Sequence, residues 1–258
     1  MRREGMSYNS PMYEKTGRYY ALFGPTAVTT SAEEAFFRHW CAGRARALDL
    51  GAGLCGPATM LARLGIEVVA VEPSPVLATL ALDRLGRADD AAQRVTLVEG
   101  DVATLSEDFH ADVILLRSVW MLIDDEARDI ALAAARRHAA PGAIVVLDAR
   151  TAALDWADRA AGHEEKRIGE TMYRRLTRYA RRANGDTEAA WTVDVERFGR
   201  RIESVEETFV VRADTAQGVA RDLGRAGFRV ERTYQGYDLE TPYVEGAALL
   251  VTVARREA

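Results

Sequence analysis

Between residues 45 and 150 five short, apolar runs alternate with stretches of helical period, and this restricts the architectures open to the chain. The runs are Ala45–Leu50, Ile66–Glu72, Arg94–Gly100, Ala111–Arg117 and Ala143–Ala149. Strands that are apolar along their length are buried on both faces, as in a parallel sheet covered by helices. The segments between them supply those helices: Pro57–Leu64 and Pro75–Arg87, each with proline in its first turn, and Asp125–His138, stopped by Pro141-Gly142. Right-handed crossovers then give a doubly wound α/β sheet.

The pattern changes after Arg150. Residues 151–170 read as helical and polar. Thr171–Arg182, Glu188–Arg197 and Arg201–Arg212 follow, joined at Asn184-Gly185-Asp186 and Phe198-Gly199. The alternation Trp191, Val193, Val195 implies half-exposed antiparallel strands. A helix over Asp214–Ala226, the strand FRVERTY and the final strand AALLVTVAR return the chain to α/β form. The expected organisation is an N-terminal lid or helical segment over 1–44, with Ser31 as N-cap of the helix SAEEAFFRHW, and an α/β core over 45–150. An inserted helix and antiparallel sheet over 151–212 follow, as a substrate cap or dimer element, and 213–258 complete the core.

Composition narrows the partners. The 258 residues carry a formal net charge of -5, without the basic footprint of a general nucleic-acid or membrane-surface binder. No run of about 20 apolar residues occurs, and the first twenty residues lack a signal-peptide stretch, so a cytoplasmic location and no membrane partner are expected. Cys41 and Cys55 cannot form a zinc site alone, so free thiols and no metal are expected. The histidines are scattered; His39 and His138 are read as surface residues.

The first strand runs into LDLGAGLCG, where Gly51, Gly53 and Gly56 form GxGxxG. Glycines there let the backbone approach a ligand closely and the next helix pack tightly. Asp49 puts a carboxylate in the mouth of this loop, which repels a pyrophosphate and attracts an ammonium group. Glu72 ends the second strand, where a carboxylate can accept from both ribose hydroxyls of a nucleoside. Asp101 follows the third strand and can accept from an exocyclic adenine amine. Three acids after three successive strands line the rim at which open α/β sheets bind ligands.

With ALDLGAG, VEPS, VEGD and ILLRS in this order, residues 45–150 resemble class I S-adenosylmethionine (SAM)-dependent methyltransferases. The segment LGRAGFRVERTYQGYD and the last strand resemble that family's closing helix and antiparallel hairpin. The inserted sheet resembles that of glycine- and sugar-type N-methyltransferases. The resemblance implies a mostly parallel seven-stranded, Rossmann-like sheet with SAM as cofactor. It places Asp49 and the Gly51-Ala52-Gly53 backbone at the methionine part, Glu72 on the ribose, and Pro73 and Ser74 beside the adenosine. Asp101 and Val102 meet the adenine, Arg117 sits beside the methionine moiety, and Tyr20 touches SAM. Tyr13, Trp120, Met121, Tyr234 and Tyr237 are candidate substrate contacts. Many relatives carry histidines after the fourth strand, but this chain has Ser118-Val119-Trp120-Met121-Leu122, so no general base is assigned.

The expected activity is methyl transfer to N or O of a small molecule, mainly by proximity and orientation. Two alternatives stay open: an NAD-dependent oxidoreductase, and a SAM-binding protein that does not methylate. The arginines of YRRLTRYARR read as a solvated strand face, although any that point inward favour an acidic substrate. The inserted sheet's edges could also pair between two subunits as a homodimer.

Overall fold

The computed structural model describes residues 13–23, 30–100, 102–153 and 162–257. A single helical turn, α1 (Tyr20–Phe23), precedes α2 (Ser31–Cys41). The core then runs β1 (Arg46–Leu50), α3 (Gly56–Arg63), β2 (Glu67–Glu72), α4 (Pro75–Leu85), β3 (Val95–Glu99), β4 (Ala111–Leu116), α5 (Asp125–His138) and β5 (Ala139–Arg150). Four strands follow: β6 (Gly162–Ile168), β7 (Thr171–Arg181), β8 (Thr187–Arg197) and β9 (Arg200–Val211). Finally α6 (Ala216–Arg225), β10 (Phe228–Gln235) and β11 (Leu249–Arg256) rejoin the core.

The large sheet has seven strands in the order β10-β11-β5-β4-β1-β2-β3. The first five strands pair in parallel, and β11 lies antiparallel to both β5 and β10. Alternate side chains of each strand feed opposite layers. Leu48, Ile114, Val145 and Leu147 pack toward Ala131 and Leu132 of α5 and Val219 and Leu223 of α6. Ala47, Val113, Ile144 and Val146 pack toward Phe36 and Phe37 of α2 and Leu61 of α3. Full burial of such a side chain contributes about 1.5–3 kcal/mol, so Phe36 and Phe37 anchor α2 firmly. The strand order reverses between β1 and β4, which opens a crevice above their carboxyl ends.

The other four strands form a separate antiparallel sheet in the order β6-β7-β8-β9. Its β6 corrects the sequence reading, which made residues 151–170 helical. Gly162–Ile168 is wholly exposed and has Ile168 as its one large apolar residue, so it carries no apolar period to identify it. It is held by its ladder to β7 and by cross-strand pairs such as Arg174 with Glu165 (2.7 Å). Two smaller corrections concern helix ends. Thr30, rather than Ser31, caps α2, closing a reciprocal capping box with Glu33. His138 is buried, not on the surface, because the end of α5 turns its ring against the Phe109 carbonyl (2.9 Å).

One buried ion pair fastens the return from the small sheet to the core. Arg128 of α5 donates to both oxygens of Asp214 (3.0 and 2.8 Å) and to the Trp120 carbonyl, with its guanidinium 4.6 Å from the Trp120 ring centre. Removing one partner strands a buried charge, which costs about 3–5 kcal/mol. Asp214→Ala is therefore expected to lose about that much stability in urea unfolding, and a loss below 1 kcal/mol would contradict the account.

Candidate functional site

The glycine turn after β1 is built by backbone constraints. Gly51 (φ 72°) and Gly53 (φ 55°) are both left-handed, and the N–H groups of Gly51 and Ala52 both donate to the Val71 carbonyl (2.9 and 3.0 Å). A Cβ on Gly51 would lie 2.6 Å from Cγ2 of Val119, so this turn is pressed against the turn after β4. Glu72, at the end of β2, accepts from the N–H groups of Gly53 (2.7 Å) and Ser74 (2.9 Å). Ser74 in turn caps α4 by accepting from Leu77 N–H (3.3 Å). One carboxylate thus fixes both rims of the crevice, and each of its oxygens keeps a second lone pair for a ligand.

Charged side chains gather behind this turn at unusual depth. Asp49 is 1% exposed, and its Oδ2 has no hydrogen-bond partner among the described residues. Burial pushes its carboxyl up from 3.8 to about 7, with Arg117 opposing and Glu72 adding to the shift. Burial also opposes the charge on Arg117, but the acidic side chains Glu33 and Asp148 help to offset it, and the guanidinium stays charged. Arg117 is ion-paired with Glu33, whose other oxygen accepts from Thr30 N–H (2.7 Å) in the capping box of α2. Asp148, 3% exposed at the end of β5, accepts from Ser118 N–H and from the Tyr237 hydroxyl (2.8 Å). Its carboxyl too is pushed up by burial, against the pull of Arg117. Arg117 still has a buried Nε without a partner among the described residues.

The fourth wall comes from the N-terminal segment. Glu207 of β9 accepts from the N–H groups of Glu14 (2.9 Å) and Thr16 (3.0 Å) and from the Thr16 hydroxyl. Glu203 holds Arg18 and the Tyr19 hydroxyl. These ties bring Tyr13 and Tyr20 together (ring centres 5.0 Å apart) against Trp191 of β8. Burial raises both tyrosine pKa values, so the phenols are neutral near pH 7.

One cleft collects ten of the residues expected at the site: Tyr13, Tyr20, Asp49, Gly51, Ala52, Gly53, Glu72, Pro73, Ser74 and Arg117. Val102 lines a small apolar pocket that shares Gly51 and Pro73 with this cleft. Asp101 lies outside the described residues. The structure does not bring the remaining candidates to the cleft wall. Trp120 is fully buried under Arg128, and Met121 is buried with its carbonyl accepting from Arg212 N–H (2.7 Å). Tyr234 and Tyr237 pack edge-on against Phe36 (5.4 and 5.2 Å) in the core, and Tyr237 reaches the cleft only through Arg117. Sequence reasoning missed Leu77, Arg84, Leu122 and Ile123 on the lining and Glu33 and Asp148 behind it. Asp148 was findable, since a carboxylate ending an otherwise apolar strand is the signal that identified Glu72.

Among the described residues no group of three or more histidine, cysteine or acidic side chains is arranged to hold a metal ion, and no helix is long and apolar enough to cross a membrane.

Residues 48–145 match a family model described as methyltransferase domain. No curated protein matches the chain. Among solved structures, the fold is shared with the CcbJ methyltransferase of Streptomyces caelestis (18% identity over 94% of this chain and 96% of that chain, TM-score 0.69). It is also shared with an S-adenosylmethionine-dependent methyltransferase of Clostridium acetobutylicum (14%, 95% and 99%, TM-score 0.71). A third is the sugar N-methyltransferase KedS8 of a Streptoalloteichus species (18%, 93% and 92%, TM-score 0.71). At these identities the likeness is one of fold.

Two stability effects follow from the geometry. Gly51→Ala combines a left-handed φ with the Val119 clash and is expected to cost about 1–3 kcal/mol in urea unfolding. Asp49 has the opposite sign. Its folded pKa lies above its ordinary value, so the folded state binds the proton more tightly and stability falls as pH rises from about 4 to 7. The difference between 3.8 and about 7 corresponds to up to ~4 kcal/mol. Asp49→Asn is expected to be the more stable protein at pH 8, with the gap closing toward pH 4. An unchanged or inverted gap would contradict a buried, under-compensated carboxylate.

Proposed function

We propose that this chain, whose residues 48–145 match a methyltransferase-domain model, uses SAM to methylate a nitrogen or oxygen of a small molecule. The observation that carries the reading is a pair of buried, opposite charges, each with an unpartnered polar atom, at the glycine turn: Asp49 Oδ2 and Arg117 Nε. An amino-acid zwitterion fits such a pair, with its ammonium toward Asp49 and its carboxylate toward Arg117. Glu72 would hold the ribose hydroxyls, Tyr20 would lie against the cofactor, and the apolar pocket at Pro73 and Val102 would take the adenine. Asp101 would accept from the adenine amine. SAM supplies a methyl group already activated by its sulfonium. The chain's share is to hold cofactor and acceptor in line and to exclude water, and positioning of this kind can supply about 7–11 kcal/mol.

The neutral phenols of Tyr13 and Tyr20 would face the acceptor as hydrogen-bonding groups. Asp49 and Glu72 are engaged by the cofactor in this reading, so the acceptor is expected to arrive with a free lone pair. We read 1–44 as lid, 45–150 with 213–258 as the cofactor-binding core, and 151–212 as a cap over the substrate. The free, buried thiols Cys41 and Cys55, both pushed up to about 12 by burial, suit a cytoplasmic protein. The open edges β6 and β9 of the cap are where a homodimer would pair.

An NAD-dependent oxidoreductase fits less well. A pyrophosphate at the glycine turn would meet the Asp49 carboxylate, and the antiparallel β11 departs from the all-parallel dinucleotide sheet. Glu72→Ala is expected to weaken SAM binding by about 2–4 kcal/mol in calorimetry, from two lost charge-assisted bonds. Unchanged affinity would overturn the site assignment. NADH binding without SAM binding would favour the oxidoreductase. SAM binding without S-adenosylhomocysteine formation across a broad panel of amine and hydroxyl acceptors would favour a protein that does not methylate.

A further inference from the structure

The arginines of β7 divide by register. Arg174 and Arg178 point outward and pair with Glu165 (2.7 Å) and Glu206 (2.8 Å), the solvated face expected from the sequence. Arg175 points the other way, opposite Val193, onto the face of the small sheet that receives the N-terminal segment. Its guanidinium lies 4.7 Å from the centre of Trp191 and 5.2 Å from that of Phe23. Its side chain is only 13% exposed, and its buried Nε has no partner among the described residues. Trp191 also touches Tyr13 and Tyr20, the two tyrosines of the cleft wall, so Arg175 lies one ring behind that wall.

Its hydrogen bonding is incomplete at Nε. The ion-pair partner of Arg175 is Glu164, an exposed residue on the edge strand β6. The carboxylates nearer the lid are occupied elsewhere: Glu207 holds Glu14 and Thr16, and Glu203 holds Arg18 and Tyr19. A buried guanidinium N–H left unmade costs more than an ordinary hydrogen bond contributes. The cofactor offers nothing to satisfy it, because in the proposed reading its carboxylate faces Arg117. Arginine's planar fork suits a carboxylate or a phosphate, and the surrounding rings suit an apolar or planar body beside that group.

We propose that the methyl acceptor carries an anionic group, carboxylate or phosphate, attached to a ring, and that Arg175 anchors it beneath the Tyr13–Tyr20 wall. This rests on the methyl-transfer reading above. The acceptor's charge would lie on Arg175 and its ring along Trp191, behind the cleft wall that Tyr13 and Tyr20 form.

The test uses the full chain saturated with S-adenosylhomocysteine and three ring-matched probes: benzoate, phenyl phosphate and benzamide. Calorimetry is expected to show at least one anion binding tenfold or more tightly than neutral benzamide, and the tighter anion identifies the group. Arg175→Gln is expected to bring anion binding down to the benzamide level while leaving S-adenosylhomocysteine affinity within twofold. Glu164→Gln, at an exposed position that does not threaten folding, is expected to tighten anion binding severalfold by releasing Arg175. Equal binding of the three probes, an anion preference that survives Arg175→Gln, or no tightening in Glu164→Gln would overturn the proposal. Failure of the wild-type protein to bind S-adenosylhomocysteine at all would count instead against the cofactor assignment.

Discussion

The structure turns on a charge cluster placed where water is scarce. Arg117 sits above the gap between β1 and β4, and the charges of Glu33, Asp49 and Asp148 converge on it from α2, β1 and β5. Burying any of these alone would cost several kcal/mol, and only their mutual attraction makes the arrangement tolerable. Because α2 is capped through Glu33, the same cluster sets where the N-terminal region meets the core. The compensation is incomplete at Asp49, whose carboxyl is still pushed up to about 7. A fold selected for stability alone would place an apolar residue there, which is why the residual charge points to a ligand.

The second sheet completes the cleft from outside the core. Its carboxylates Glu203 and Glu207 hold the segment that carries Tyr13 and Tyr20, so a wall of the cleft depends on strands over a hundred residues away in sequence. Arg128 and Asp214 lock the point where that sheet returns to the core. The cleft therefore has one rigid side, made by strand ends, and one side that hangs on a few hydrogen bonds.

Much of this was legible in the sequence, for identifiable reasons. Strands buried on both faces have no choice but to be apolar, so β1, β2, β4 and β5 declare themselves, and glycines forced to positive φ mark the turn after β1. β6 was hidden because an exposed edge strand needs no apolar side chain. Trp120 and Tyr237 lie off the cleft wall, and their sequence could not show this because aromatic residues after a strand can serve a cleft or a core with equal ease. Here the nearby Arg128 and Phe36 draw them inward. The pairing of Glu33 with Arg117 spans 84 positions, and no local pattern encodes it.

The most direct measurement is a crystal structure of the protein grown with S-adenosylhomocysteine. The account predicts the ligand's ammonium within hydrogen-bond distance of Asp49 Oδ2 and its ribose hydroxyls on Glu72. A ligand bound elsewhere, or turned so that its carboxylate faces Asp49, would contradict it.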